Sequence, residues 1–348
     1  MKSPTPTLKW IRVALLAAAT AAGCGSSGDQ GGGAGGTTSV GSGGTTGTGS
    51  GGTTGTGSGG AGMMPPVGSS GCSTFTADDL WNKDVSGSAV DTTWTPKLQA
   101  LVGAIKIHPD FGSDFGIPIN VVPQSQALVP VTFDTYADES DPGPYPFPAP
   151  ASVQLEGTAD PTKCDGDCHL LTVQQGTCQL YEGYGCHYAA GWHCANGSKW
   201  DLTKKSYGQR TSGWTSADAA GLPIYAGLAR YDEAMAGAIT HAIRFTLKCT
   251  HGSFIAPATH EAVPGGCADT DPNAPPMGLR IRLKASYDDS KLTGQAKLFT
   301  QAFKKFGLML ADNGSNFFFQ SEQNAGWSDD DINGLKAIPA SAFEVVAP

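Results

Sequence analysis

Apolar and polar positions alternate, or apolar ones run together, in six stretches rich in β-branched and aromatic residues. They are LVPVTFDTY (128–136), HLLTV (169–173), CQLYEGY (178–184), HAIRFTL (241–247), GLRIRLKAS (278–286) and NFFFQSE (316–322). Successive side chains on a strand point to opposite faces, so such runs predict strands. In GLRIRLKAS, Leu279, Ile281 and Leu283 are expected to face inward and Arg280, Arg282 and Lys284 outward. HLLTV and CQLYEGY, joined by QQGT, predict a hairpin with a glycine-containing connection.

Helical periodicity is scarce. Over 294–306, Leu298, Phe299, Ala302, Phe303 and Phe306 fall on one stripe and Gly307 follows as a stop. A second, short helix is expected after Ser328, whose hydroxyl can cap it, with Asp331 completing a capping box. Long Pro/Gly-rich segments such as DESDPGPYPFPAP (138–150) separate the strands. The expected fold is therefore mainly β: a single β-sandwich or jelly-roll-like domain with long loops and one or two packed helices.

The first 71 residues break this pattern. MKSPTPTLKWIR carries Lys2, Lys9 and Arg12, an apolar run spans Val13 to Ala22, and Gly23-Cys24 follows. A basic start, a short apolar stretch and small residues before a cut site describe a secretory signal peptide over 1–23. The run is about half of the ~20 residues that a membrane span needs. AAGC resembles a bacterial lipobox, which implies that the Cys24 thiol carries lipid; Ala21 stands where Leu is commonest in that motif. Cleavage in the Ala-rich stretch by an ordinary signal peptidase, with secretion, is the alternative. Residues 24–71 include the octad GGTTGTGS twice, at 43–50 and 51–58. Such sequence cannot bury a core and predicts a flexible tether with a mean reach of about 40 Å. Gly25 after the cysteine resembles the sorting pattern of outer-membrane lipoproteins. The expected location is thus the outer membrane or cell surface, with membrane contact through the lipid only.

Export changes the reading of the cysteines. With Cys24 assigned to lipid, Cys72, Cys164, Cys168, Cys178, Cys186, Cys194, Cys249 and Cys267 remain, and all eight can pair. An oxidising compartment favours disulfides over thiolate metal sites. CHYAAGWHC (186–194) and the 249–267 segment read as bridged loops, and Cys72 can join one of Cys164, Cys168 and Cys178.

Residues 72–348 form the expected globular domain, long enough for a substantial core. The formal charge of −9 and the lack of a basic cluster argue against a nucleic-acid partner. No GxGxxG, phosphate loop or GxSxG elbow is present. HPDFG (108–112), DESDPGPYPFP (138–148), GWTSADAAGLPIYAGLARYDE (213–233), GAITHAIRF (237–245), PPMGLRIRLKASYD (275–288) and ADNGSNFFF (311–319) resemble a recurrent family of secreted bacterial proteins. That resemblance implies one evolutionary unit and carries over no catalytic role.

Candidate chemistry centres on CDGDCHLL (164–171). If His169 begins a strand, Asp167 two residues earlier shares its face and can fix its tautomer while His169 moves a proton. Glu182 on the returning strand can share that face. The plain alternative is a histidine hydrogen-bonded in a loop beside a disulfide. His241 on an otherwise apolar face reads as a core residue unless a neighbour such as His260 joins it. His169, His241 and His260 with Asp167 or Glu182 can ligate zinc, copper or iron, but they lack HExxH spacing. No cofactor is therefore expected, and a divalent metal is the one group left open. Trp200 and Trp214 read as loop aromatics that either stack on sugar rings, with Arg280 reading hydroxyls, or cover core edges. The expected role is a surface-tethered, monomeric lipoprotein that acts on or binds extracellular polysaccharide, as a lyase or hydrolase using His169. The alternatives are a non-catalytic glycan- or protein-binding module and a structural envelope protein.

Overall fold

A computed structural model of the chain describes residues 70–262 and 271–347. The expected signal peptide, Cys24, the expected linker up to residue 69 and Cys267 lie outside the described residues. Helix α1 (Trp94–Val102) leads into strands β1 (His108–Pro109), β2 (Ile119–Val122) and β3 (Val131–Phe133). The expected hairpin follows as β4 (Leu170–Gln174) and β5 (Gln179–Tyr184), then β6 (His187–Tyr188), β7 (Trp192–Cys194) and β8 (Asn196–Asp201). Two short helices, α2 (Ile224–Gly227) and α3 (Tyr231–Ala236), precede β9 (Ile243–Leu247) and β10 (Arg280–Leu283). The chain ends with α4 (Gly294–Lys305), β11 (Leu308–Asn313), β12 (Phe318–Phe319), α5 (Asp329–Gly334) and β13 (Phe343–Val345).

The fold is mainly β, and among the described residues the strands form three sheets. One is six-stranded, in the order β1-β12-β9-β11-β10-β13. The second is β2-β4-β5-β8 and the third β3-β7-β6. Antiparallel pairs dominate, but β1–β12, β9–β11, β2–β4 and β3–β7 are parallel. The β4–β5 hairpin pairs Leu170 with Gly183 through Gln174 with Gln179. Every β4 residue is buried, because this strand is covered on both sides. Leu171 and Val173 face the main core, shared with Ile243, Phe245, Ile281 and Phe303, whereas Leu170 faces a smaller core with Tyr145, Phe147, Trp192 and the Cys186–Cys194 sulfurs. A strand buried on both faces loses the alternation that a half-exposed strand shows.

Helix α4 buries Phe299, Ala302 and Phe303 as its stripe predicts. At α5 the Ser328 hydroxyl accepts the Asp331 backbone N–H at 3.3 Å, the expected cap. Gly197 in β8 is required by packing, since a Cβ there would overlap the ring of Phe133 and the hydroxyl of Tyr145.

GLRIRLKAS departs from expectation. The strand contracts to β10, lies between β11 and β13, and is buried throughout. Arg280 and Arg282 do not face solvent. Arg280, 5% exposed, donates to the carbonyls of Phe306, Leu80 and Lys83, at 2.9, 2.5 and 3.0 Å. Arg282 donates to Ser86 and Ser88 carbonyls, each at 2.9 Å, and pairs with Glu344. The segment 80–88 covers this face and supplies the acceptors that make burying a guanidinium tolerable. Arg280 thus stands under backbone, away from any open sugar-binding surface. Among the described residues no helix is long and apolar enough to cross a membrane.

Candidate functional site

CDGDC is a disulfide knot whose loop forms one wall of a cleft. Cys164 and Cys168 are bridged. The exposed Asp165 and Asp167 line a cavity of about 220 Å³, together with Asp110, Asp114 and Glu156. Asp110 follows β1 and is fixed by its own N–H, which donates to the Phe319 carbonyl at 2.9 Å. The segment from Asp110 to Phe115 also borders a second cavity of about 300 Å³, which His108, Asp329 and Lys336 line as well. Phe115, 67% exposed, lines both cavities. Gly116 closes the segment at φ +103°, and a Cβ there would lie 2.7 Å from the Ser321 carbonyl. Only glycine accepts both conditions.

Beneath the cleft lies a buried charge network. His169, just before β4, donates from Nδ1 to Glu156 Oε2 at 2.5 Å and from Nε2 to the Ala217 carbonyl at 3.1 Å. A carbonyl only accepts, so Nε2 carries a proton, and the lowered pKa of Glu156 leaves the Nδ1 proton on the ring. Burial opposes the charge on His169, but the Glu156 carboxylate outweighs it and lifts the pKa to about 9. Burial likewise acts to raise Glu156, and the His169 imidazolium reverses this and holds it below the ordinary value. Glu156 also accepts the His169 backbone N–H at 3.2 Å. Asp110 goes the other way: burial pushes it up, and the nearby Glu156 charge adds to the rise.

The next layer comes from the six-stranded sheet. Arg244 of β9 donates to both oxygens of Asp218, at 2.6 and 3.1 Å, and lies 3.7 Å from Asp312 of β11. Burial and the neighbouring Asp218 carboxylate push Asp312 well above its ordinary value despite Arg244. Two carboxylates around one guanidinium favour retention of one proton. A buried arginine inside the apolar run HAIRFTL was the available sequence signal, because a buried charge requires partners. Nothing local to Asp110 or Glu156 marks them; their meeting in the cleft is a product of chain topology.

The other sequence candidates scatter. Asp167 is exposed at the cleft and is not the partner of His169; Glu156 takes that place. Glu182 is fully buried in β5 and accepts N–H groups from Trp200, Ile224 and Tyr225 at 3.1, 3.2 and 2.8 Å. Burial raises it to about 7 against the pull of these donors. Trp200 is therefore no loop aromatic but a residue of β8, 2% exposed. Trp214 is half-buried, with the Arg210 guanidinium 5.6 Å above its ring. His241, 1% exposed, donates from Nδ1 to the Ala242 carbonyl at 2.7 Å and sits 3.1 Å from Glu233. His260 donates to the Ala219 carbonyl at 2.7 Å. Of the expected bridges, Cys72–Cys178 and Cys186–Cys194 form, and Cys249 is disulfide-bonded.

His169, His241 and His260 do not assemble into a metal-ligating group. Among the described residues, the group whose donor atoms converge is Asp134, His187 and His193, mutually within 4.8 Å, an arrangement compatible with a divalent cation. No family model, curated protein or solved structure matches the chain.

Proposed function

We propose that the protein is a glycan-acting enzyme, a hydrolase of neutral or amino-bearing polysaccharide, working in the Asp110–Glu156–Asp167 cleft. The observation that carries this reading is one cavity lined by five carboxylates, one of them locked against a buried imidazolium. Opposed environments split the roles. Asp110, raised by burial, is the proton donor to the leaving oxygen; Glu156, kept ionised by His169, faces the developing positive charge or activates water. His169 is a positioning residue here, since both its ring nitrogens are engaged. A cleft of this charge repels uronic-acid polymers, which disfavours the lyase reaction. The two cavities that share Phe115, Asp110 and Asp114 offer room for more than one sugar. A sandwich-like β scaffold, and a lipid tether on Cys24 that holds it at the cell surface, complete the proposal.

Phe115 favours one second reading, a binding module that stacks sugars without cleaving them. Incubating the full chain with a panel of neutral and amino-sugar polysaccharides, and following new reducing ends, separates the two. Turnover that disappears in Asp110→Asn and Glu156→Gln supports the enzyme. Binding without turnover selects the module, and neither binding nor turnover overturns both.

A further inference from the structure

The third sheet carries a feature that the cleft does not use. His187 of β6 and His193 of β7 are directly opposed in register. Their rings stack 5.4 Å apart, 25° from parallel. The flanking pair on that hairpin is Cys186 and Cys194, bridged and fully buried. Because alternate residues of a strand point to opposite faces, the disulfide anchors one face in the small core and the imidazoles stand on the other. Asp134, directly after β3, is positioned by its backbone N–H, which donates to the Cys194 carbonyl at 2.9 Å. Its carboxylate accepts from His193 Nδ1 at 3.2 and 3.3 Å. The side chains of His193 and Asp134 are 30% and 46% exposed, so an ion has access from solvent.

We infer that Asp134, His187 and His193 form a binding site for a zinc-class divalent cation. The donor set is two imidazole nitrogens and one carboxylate oxygen. Hard cations such as calcium prefer six or more oxygen ligands, whereas imidazole suits zinc and copper. Ligand atoms around tetrahedral zinc lie about 3.4 Å apart, from bond lengths of about 2.0–2.2 Å. The donors here lie within 4.8 Å, so side-chain rotation closes the gap on a backbone that the disulfide already fixes. A cation held by His193 Nδ1 takes the place of the hydrogen bond to Asp134, and the ring ligates as its neutral Nε2–H tautomer. Three protein ligands leave a fourth position for water or for an oxygen donor of a bound molecule.

The test is calorimetric titration of the full, tag-free chain with zinc chloride after dialysis against chelator, with calcium chloride as control. One zinc per chain is expected, and no calcium. His187→Ala and His193→Ala should each weaken binding by about 10- to 100-fold or more, the range that loss of even an outer partner costs. His251→Ala, in an exposed loop, should leave binding unchanged. On the unsubstituted chain, zinc should shift the ring-proton resonances of His187 and His193 and spare those of His251. Absence of saturable zinc uptake, uptake unaltered in the His187→Ala/His193→Ala double variant, or resonance shifts confined to other histidines would overturn the site.

Discussion

Two histidine–glutamate pairs in this protein share their chemistry and differ in their access to water. At the cleft, His169 and Glu156 lie 2.5 Å apart with side chains 4% and 17% exposed. Beside α3, His241 and Glu233 lie 3.1 Å apart with side chains 2% and 1% exposed. Glu233 is further clamped by the Arg230 guanidinium at 2.5 Å and accepts the Arg230 backbone N–H at 2.9 Å, closing the first turn of its helix. Burial acts to raise Glu233, but the Arg230 guanidinium outweighs it and holds the carboxyl below its ordinary value. The enclosed pair has every contact inside the protein and secures α3 to the segment preceding β9. The cleft pair leaves one face of a carboxylate open to a cavity of about 220 Å³. The residue types are the same; what each pair can do is decided by what lies on the far side of the glutamate.

The sharpest way to break this contrast is to neutralise the cleft. Asp110→Asn should lower turnover by about 10³-fold, within the usual range for loss of a general acid, while the melting temperature stays within a few degrees. Comparable turnover in that variant would remove Asp110 from the chemistry. The enclosed pair should respond the other way. Glu233→Ala leaves the buried Arg230 without its counter-charge and His241 without its carboxylate partner, and should cost about 3–5 kcal/mol of stability in denaturant unfolding, with turnover per folded molecule unchanged.

Titration sharpens the comparison next. The folded-state pKa of His169 is raised, so its contribution is complete below the ordinary value of 6.5 and is lost as pH rises through about 9. At about 1.4 kcal/mol per unit, roughly 3 kcal/mol should fade over that window, read from unfolding midpoints against pH. Glu156→Gln should flatten this alkaline limb, and a limb that persists would assign it to another group. Activity should follow a different pair of groups. Asp110 must hold its proton and Glu156 must be ionised, so the rate profile should be a bell on the acid side of neutrality. An optimum above pH 8 would contradict the assignment. The smallest effect is expected at the rim, where Phe115→Ala should raise KM about 3- to 10-fold, equivalent to one aromatic contact, and leave unfolding unchanged.

Much of the scaffold was legible because local pattern and tertiary environment agree there. The β4–β5 hairpin (Leu170 to Tyr184), the apolar stripe of α4 and the Ser328 cap are each encoded within one short stretch of chain. Strand β8, NGSKWD, was not legible, because Asn196-Gly197-Ser198 reads as a turn until the Phe133 ring and the Tyr145 hydroxyl demand a glycine beneath them. The outward face of β10 was misread for a related reason. Its arginines follow the polar half of an alternating pattern, and only a covering segment distant in sequence supplies carbonyl acceptors. At the site, His169 and its neighbouring cysteines stood out by composition, but its partner did not. Glu156 lies 13 residues earlier, and nothing in its own stretch distinguishes it from other surface carboxylates.

By itself the amino-acid sequence determined a mainly β domain after a Gly/Ser/Thr-rich stretch, a disulfide-rich chemistry and the local caps and turns. These depend on short-range periodicity and on residue type. Only the tertiary structure decided which histidine meets which carboxylate, which arginines are covered, and which acids share a cavity. Burial and charge pairing act through space, and the chain brings Asp110, Glu156, Asp167 and Arg244 together from segments that share no local pattern.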